Sequence, residues 1–534
     1  MQARGALSVS GASVLLLALL VVVPIAVLLA AWQQEQWATW QHLLDTVLWQ
    51  LVGNTLFLVI GVTIGVLLLG VSLAWCVATQ EFPGRQWLQW ALLLPMAMPA
   101  YVLAFVMVDL LDYAGPIQTF LRQWLPALPG FSARHPLWVV ITLSLVLYPY
   151  VYMLARLAFE AQGRAVLEQA RILGDSATSA FFRVALPMAR PGIAAGLALA
   201  LMETLADFGA VSIFNFDTFT TAIYKSWYGL FNLQAAAQLA SLLLLFVVVA
   251  LWLERRARSR ARYSEIGGRQ TLRSRPRLAW GVTLFAFSVL FLAFLMPVSR
   301  LLYWVIDHGL MQLDARFLNL IWRTFLLGTM AALLVLMLAG WLAWVKRHQS
   351  SPAVSAAVRL ATLGYALPGS VLAVGIMISF SKVEGWLADL GAGIALVSTL
   401  AALLLAYVVR FMAVGFGPVE NALQQVRPSL VEAARTLGAT SAEVGRRVYV
   451  PMMLPGLLTA LLLVGIDVMK EMPATLLLRP FGWDTLAVRI YELTAEGEWE
   501  RAAAPALTLV VLGLVPVIVL TRRRPVRLSR SRPA

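Results

Sequence analysis

Two pairs of acidic residues stand inside runs too apolar to hold them cheaply. Glu203 and Asp207 lie in GLALALMETLADFGAVSIF, and Asp467 and Glu471 lie in LLTALLLVGIDVMKEMPATLLL. Each pair is spaced i,i+4, one helical turn, and Lys470 adjoins the second. A carboxylate in an apolar span is costly and usually faces a bundle interior or an ion path. Symmetric acidic pairs facing a shared axis would pass a cation. Two plainer uses compete: the acids cap a helix end at the interface, or Lys470 pairs with Asp467 to hold helices together. Covalent chemistry has little to work with. His42, His135, His308 and His348 are scattered without ligand spacing, and Cys76, the only cysteine, can form no intrachain disulfide. No Gly-Lys pair occurs, so a nucleotide-binding P-loop is excluded.

The elements that must position these acids are membrane helices. The 534 residues are 60% hydrophobic and 13% charged, and mean hydropathy is +0.80. Soluble domains carry about 25% charge. Runs long enough to cross a bilayer, about 20 residues, recur along the chain. They predict spans near 12–31, 53–78, 88–112, 136–157, 192–214 and 235–253. A second set is predicted near 279–305, 323–345, 358–380, 391–413, 454–477 and 503–521. Lipid cannot satisfy open backbone, so these are helices. The first run exceeds a signal-peptide core and is expected to remain as an uncleaved span.

The net charge of +14 follows topology. Nine arginines crowd RRARSRARYSEIGGRQTLRSRPR at 255–277, and TRRRPVRLSRSR precedes the last two residues. Basic residues favour the cytoplasmic side, which places both termini and this stretch there. Contact with anionic lipid accounts for the charge, and nucleic acid is not an expected partner.

The chain is internally duplicated. Thr55, Leu73-Ala74-Trp75, Pro99 and Val102-Leu103-Ala104 match Thr324, Leu342-Ala343-Trp344, Pro368 and Val371-Leu372-Ala373. FDTFTTAIYKSW matches WDTLAVRIYELT, aligning Tyr224 with Tyr491. Six spans per half return each half to its starting side, so the repeats are parallel about an axis along the membrane normal. The expected organisation is a first half over 1–254, a basic cytoplasmic linker over 255–278 and a second half over 279–534. Organisation alone fits a secondary carrier equally well.

A polar segment is repeated as well. EQARILGDSATSAFFRVALPMARPG (168–192) aligns with EAARTLGATSAEVGRRVYVPMMLPG (432–456). In the second copy Pro428-Ser429 starts a helix, Leu430, Val431, Ala434, Leu437 and Gly438 give an apolar stripe, and Gly438 ends it. A second short helix follows, and Pro451 is expected to close it, as Pro187 does in the first copy. One interfacial helix resting on lipid would explain one copy. Two equivalent elements under two halves suggest a partner with two equivalent sites.

The pattern E-x-A-x-x-x-G, twice in register, resembles the EAA loop of binding-protein-dependent ABC importer permeases. The first copy departs slightly, with EQA for EAA. The resemblance covers nearly the whole chain as a fused form of two halves. It implies an all-α polytopic fold of about twelve helices in the bacterial inner membrane, with EAA-type loops at 164–192 and 428–456. It implies that Glu168, Ala170, Arg171, Gly174, Pro187, Glu432, Ala434, Arg435, Gly438 and Pro451 form coupling elements. These would dock on a cytoplasmic ABC ATPase, two copies of it, which binds ATP and Mg; this chain would hold no cofactor and be no enzyme. A periplasmic substrate-binding protein is the other implied partner. The segments 205–232 and 470–504 further resemble ferric-ion importer permeases, and hard Fe³⁺ prefers oxygen ligands. Thiamine, a polyamine, a phosphonate or an oxyanion are the alternative substrates of that class. Glu492, Glu496, Glu498 and Glu500 form an acidic outer loop, read chiefly as solvated.

Overall fold

The computed structural model describes residues 9–33, 37–125, 130–162, 172, 176–259, 278–307, 314–349 and 351–522. Its regular structure is helical, with no strand among the described residues. Twelve helices are long and apolar enough to cross a membrane. In the first half they are α1 (Ser10–Gln33), α2 (Leu48–Thr79), α3 (Ala100–Trp124), α4 (Pro136–Ala161), α5 (Phe181–Ala206) and α6 (Leu233–Leu253). In the second half they are α7 (Ala279–Asp307), α8 (Ala315–His348), α9 (Gly369–Asp389), α10 (Leu400–Gln425), α11 (Ser441–Lys470) and α12 (Trp499–Ile518).

Three expectations about these helices need correction. The predicted third spans, 88–112 and 358–380, each join two elements. Short helices Arg85–Ala91 and Pro352–Ala361 come first, then a 3₁₀ turn, then Pro99 or Pro368. These prolines are extended, with ψ near 142° and 140°, so each membrane helix begins only after the ring. The predicted fourth span of the second half, 391–413, begins late and ends late, at Leu400–Gln425. Gly391, at φ 82°, ends the preceding helix, and Thr399 caps the next one through Ala402 N–H. The fifth spans stop short of the predicted 214 and 477, because the backbone turns extended at Asp207 and Glu471.

Pro187 and Pro451 do not close their helices. Each lies two residues beyond a π turn, Phe181–Ala185 or Gly445–Tyr449. There Leu186 N–H reaches Phe181 C=O, and Val450 N–H reaches Gly445 C=O, five residues back. The ladder has already slipped where proline lacks its donor, so the helix continues. α11 is therefore one 30-residue helix from Ser441 to Lys470.

The two halves interlock. α1 crosses onto the second half, where a Cβ at Gly375 would sit 2.9 Å from Pro24 Cβ. Trp341 Nε1 donates to Ser13 Oγ at 2.8 Å on the same contact. α7 crosses the other way: Thr283 Oγ1 donates to Pro83 C=O at 2.9 Å, and Arg300 Nε donates to Asp109 Oδ2 at 2.9 Å. Both buried clusters consequently mix residues of the two halves. Within a half, small residues let helices touch. A Cβ at Gly196 on α5 would stand 2.7 Å from Tyr150 C=O on α4, the close approach that lipid-embedded packing favours.

Candidate functional site

The ends of α5 and α11 meet at the centre of the molecule. Each helix stops at a carboxylate that caps the short helix after it. Asp207 Oδ1 accepts Val211 N–H at 3.1 Å, at the start of Gly209–Ile213. Glu471 accepts Ala474 N–H at 2.9 Å, Thr475 N–H at 3.0 Å and Thr475 Oγ1 at 2.8 Å, at the start of Pro473–Leu478. A carboxylate suits a helix N-terminus because it satisfies orphan N–H groups and the dipole there. Capping, one of the plainer uses, thus accounts for Asp207 and Glu471.

Glu203 and Asp467 sit one turn earlier and line a cavity of about 160 Å³ between the halves. Tyr365 on the second half donates its hydroxyl to Glu203 Oε1 at 2.8 Å. Lys470 Nζ donates to Met96 C=O at 3.0 Å, so its ammonium ties α11 to the first half. Four carboxylates, Arg410, Lys470 and the phenols of Tyr101, Tyr150 and Tyr365 share the lining. All four predicted pathway acids are brought together, two as caps and two as open groups. Among the described residues no group of three or more His, Cys, Asp or Glu is arranged to hold a metal ion.

Tyr365, Arg410, Tyr101 and Tyr150 escaped the sequence reading. Arg410 carries a signal, a cation inside an apolar run, whereas the duplication pointed to the matched charges of the fifth spans. The tyrosines carried none, since phenols are ordinary in helices. Behind Phe208 lie Tyr224 and Tyr491, which the duplication makes equivalent, with ring centroids 6.3 Å apart. Phe208, which lines the cavity, touches both, at 5.1 and 5.4 Å. The acidic stretch read as a solvated loop is largely helical: Glu492 lies in the helix Leu486–Ala495 and pairs with Arg479 at 2.8 Å, Glu500 lies in the first turn of α12, and Glu498 pairs with Arg501 at 2.7 Å.

The second polar repeat forms a surface helix, Pro428–Thr436, with no buried residue. Glu432 and Arg435 are exposed, Ala434 is half-buried, and Leu437 is 88% exposed. Gly438 turns at φ 85° and ends the helix as expected. Thr440 and Glu443 then form a capping box that starts α11, with Thr440 N–H donating to Glu443 Oε2 at 2.9 Å. The approach to the helix is clamped from α8. Arg347 Nη2 donates to Val426 C=O at 2.6 Å, and Lys346 pairs with Glu420 at 2.5 Å. Glu168, Ala170, Arg171 and Gly174 lie outside the described residues, as does most of the linker. Pro187 is half-buried and Pro451 exposed.

Comparison with known proteins matches residues 66–263 and 347–523 to the model of one family, the binding-protein-dependent transport system inner membrane component. The chain is 27% identical over 484 residues to the Fe(3+)-transport system permease protein FbpB 2 of Haemophilus influenzae, covering 89% of this chain and 90% of that protein. It is 29% identical over 183 residues to the molybdenum transport system permease protein ModB of the same organism, covering 34% of this chain and 79% of ModB. It is 27% identical over 202 residues to the sulfate transport system permease protein CysT of Escherichia coli, covering 38% of this chain and 72% of CysT.

Proposed function

Because the chain belongs to the family of binding-protein-dependent transport system inner membrane components, we propose that it moves ferric iron inward as the permease of an ATP-driven importer. A periplasmic binding protein delivers the ion, and two copies of a cytoplasmic ATPase, holding ATP and Mg, supply the energy. The chain itself has no ATPase site. Both termini and the linker over 255–278 face the cytoplasm, between halves spanning 1–254 and 279–534.

The observation that carries this reading is the continuity of α11. One helix of 30 residues, about 45 Å at 1.5 Å per residue, runs from the exposed helix that carries Glu432, Ala434 and Arg435 and stops at Gly438 to the acids Asp467 and Glu471. Packed helices shift as bodies, so a push on the surface helix moves the cavity wall. α5 is the matching lever, with Glu168, Ala170, Arg171 and Gly174 in the matching docking loop and Glu203 and Asp207 at its end. Pro187 and Pro451 lie within these levers, just after the π turns, and the turn between docking helix and shaft in the second half falls at Gly438. Closure of the ATPases rocks the levers, parts the halves at the cavity and passes the ion. A secondary carrier would have no use for exposed docking helices on such shafts.

Iron, among the substrates moved by similar permeases, is supported by the likeness over almost the whole chain and by the cavity chemistry. Four carboxylates and three phenols outnumber two cations, and hard oxygen donors suit Fe³⁺. The test is a substrate panel in proteoliposomes containing the permease, its ATPase and its binding protein. Labelled Fe³⁺ is expected to enter only with ATP and binding protein, while molybdate, sulfate, thiamine and 2-aminoethylphosphonate do not. Entry of one of those in place of iron would retain the importer and discard the cargo.

A further inference from the structure

The cavity holds two positive charges that a bare cation does not need. Arg410 is only 9% exposed, and its Nε is buried with no hydrogen-bond partner. Its Nη1 reaches Leu367 C=O at 3.4 Å, a long contact. An under-satisfied buried guanidinium costs several kcal/mol unless something pairs with it. Glu471 is the nearby acid, since a Cβ at Gly369 would meet both Glu471 Oε1 and Arg410 Nη1. That carboxylate, however, already accepts three hydrogen bonds as a helix cap. Nor does the fold require the charge for symmetry. The duplication that aligns Glu203 with Asp467 puts Val146 at the place of Arg410 and Ala206 at the place of Lys470.

Setting the two capping acids aside, Glu203 and Asp467 face Arg410 and Lys470 across one small space. Such a lining is close to neutral, with acids and bases both offered. It suits a cargo that brings both signs. A triply charged ion alone pays a desolvation cost that rises steeply with charge, whereas an ion joined to an oxyanion has most of that charge cancelled before it enters. The planar fork of Arg is the side chain best shaped to take two oxygens of a phosphate or carboxylate, and a lysine adds a point charge.

We propose that Arg410 and Lys470 form an oxyanion subsite in the central cavity, and that ferric iron crosses together with a companion phosphate or carboxylate. This rests on the iron reading above.

The test uses the full complex with ATPase and binding protein in proteoliposomes, with ⁵⁵Fe³⁺ and ³²P-labelled inorganic phosphate supplied together and separately. Equilibrium retention of ³²P-phosphate or labelled citrate by the complex in nanodiscs is measured alongside. Wild type is expected to retain phosphate and to take up both labels in a fixed ratio. Arg410→Gln should lower phosphate retention and phosphate co-uptake by at least about tenfold, the worth of one bidentate ion contact. Arg410→Lys, which keeps the charge but loses the fork, should fall between, and co-purification of the ATPase reports assembly of each variant. Iron entering at the full rate with no oxyanion present, and indifferent to both Arg410 changes, overturns the subsite while leaving the iron reading intact. Retention of neither phosphate nor labelled citrate by wild type overturns it equally, and retention of one of the two identifies the companion. Arg410-dependent phosphate retention without any iron uptake keeps the subsite and removes the iron reading.

Discussion

Gly438→Val, combined with Gly174→Val, is expected to cut ATP-driven uptake about 100-fold while the permease still inserts and still binds its loaded binding protein. Gly438 holds φ 85°, where a side chain costs about 1–2 kcal/mol. Apart from its own chain neighbours, no described residue comes within 4 Å of a Cβ placed there. The substitution therefore strains the end of the surface helix and adds bulk on the face proposed to meet the ATPase, without disturbing the core. A lost contact at the centre of an interface adds about 2 kcal/mol, and the sum of about 3 kcal/mol corresponds to about 100-fold weaker ATPase association. Pull-down of the ATPase, read beside uptake, checks this. Uptake that falls while ATPase binding is unchanged would show that the surface helix does not dock where its exposure suggests.

Neutralising the two open acids should be nearly as damaging, for a different reason. Glu203→Gln with Asp467→Asn leaves Arg410 and Lys470 facing only carboxylates that are already occupied as caps. At an effective dielectric near 20, each carboxylate about 6 Å from the cargo attracts it by about 3 kcal/mol per unit of net positive charge, part of which desolvation offsets. Even a residue of about 3 kcal/mol gives a loss of about 100-fold in the transport rate. The amides keep the size of the side chains, and the amide oxygen at position 203 would still accept from the Tyr365 hydroxyl, so assembly should survive. The expected signature is ATP hydrolysis that still responds to the binding protein, with no iron movement. Transport at the wild-type rate would place the ion path elsewhere.

Much of this design could be read before any coordinates. The duplication, the span count, the paired acids and the second surface helix with its stop at Gly438 all follow from periodicity, charge and glycine. Those signals are local, and local rules state them. The turns that make the site were not legible in the same way. Hydropathy sees apolar residues, so it ran the third spans through Pro99 and Pro368 and the fifth spans past Asp207 and Glu471. The break at each acid arises because its oxygens take N–H groups of the next short helix, a contact composition does not reveal. Pro451 misled for the opposite reason. A π turn just before it absorbs the missing donor, and helix rules that stop at proline do not anticipate that slip. Arg410 and Tyr365 reach the cavity only because α10 and the segment before α9 pack against α5 and α11, a matter of tertiary placement.

If the proposed importer works by alternating access, nucleotide on the ATPase decides which side of the membrane the cavity opens to. Ala206 lines that cavity, and Cys76 is the only native cysteine. A chain carrying Cys76→Ala and Ala206→Cys, assembled with ATPase and binding protein in vesicles, should react with a membrane-impermeant thiol reagent from the cytoplasmic side without ATP. With trapped ATP and loaded binding protein it should react from the periplasmic side instead. Labelling from the same side in both nucleotide states, or equally from both sides, would contradict the account.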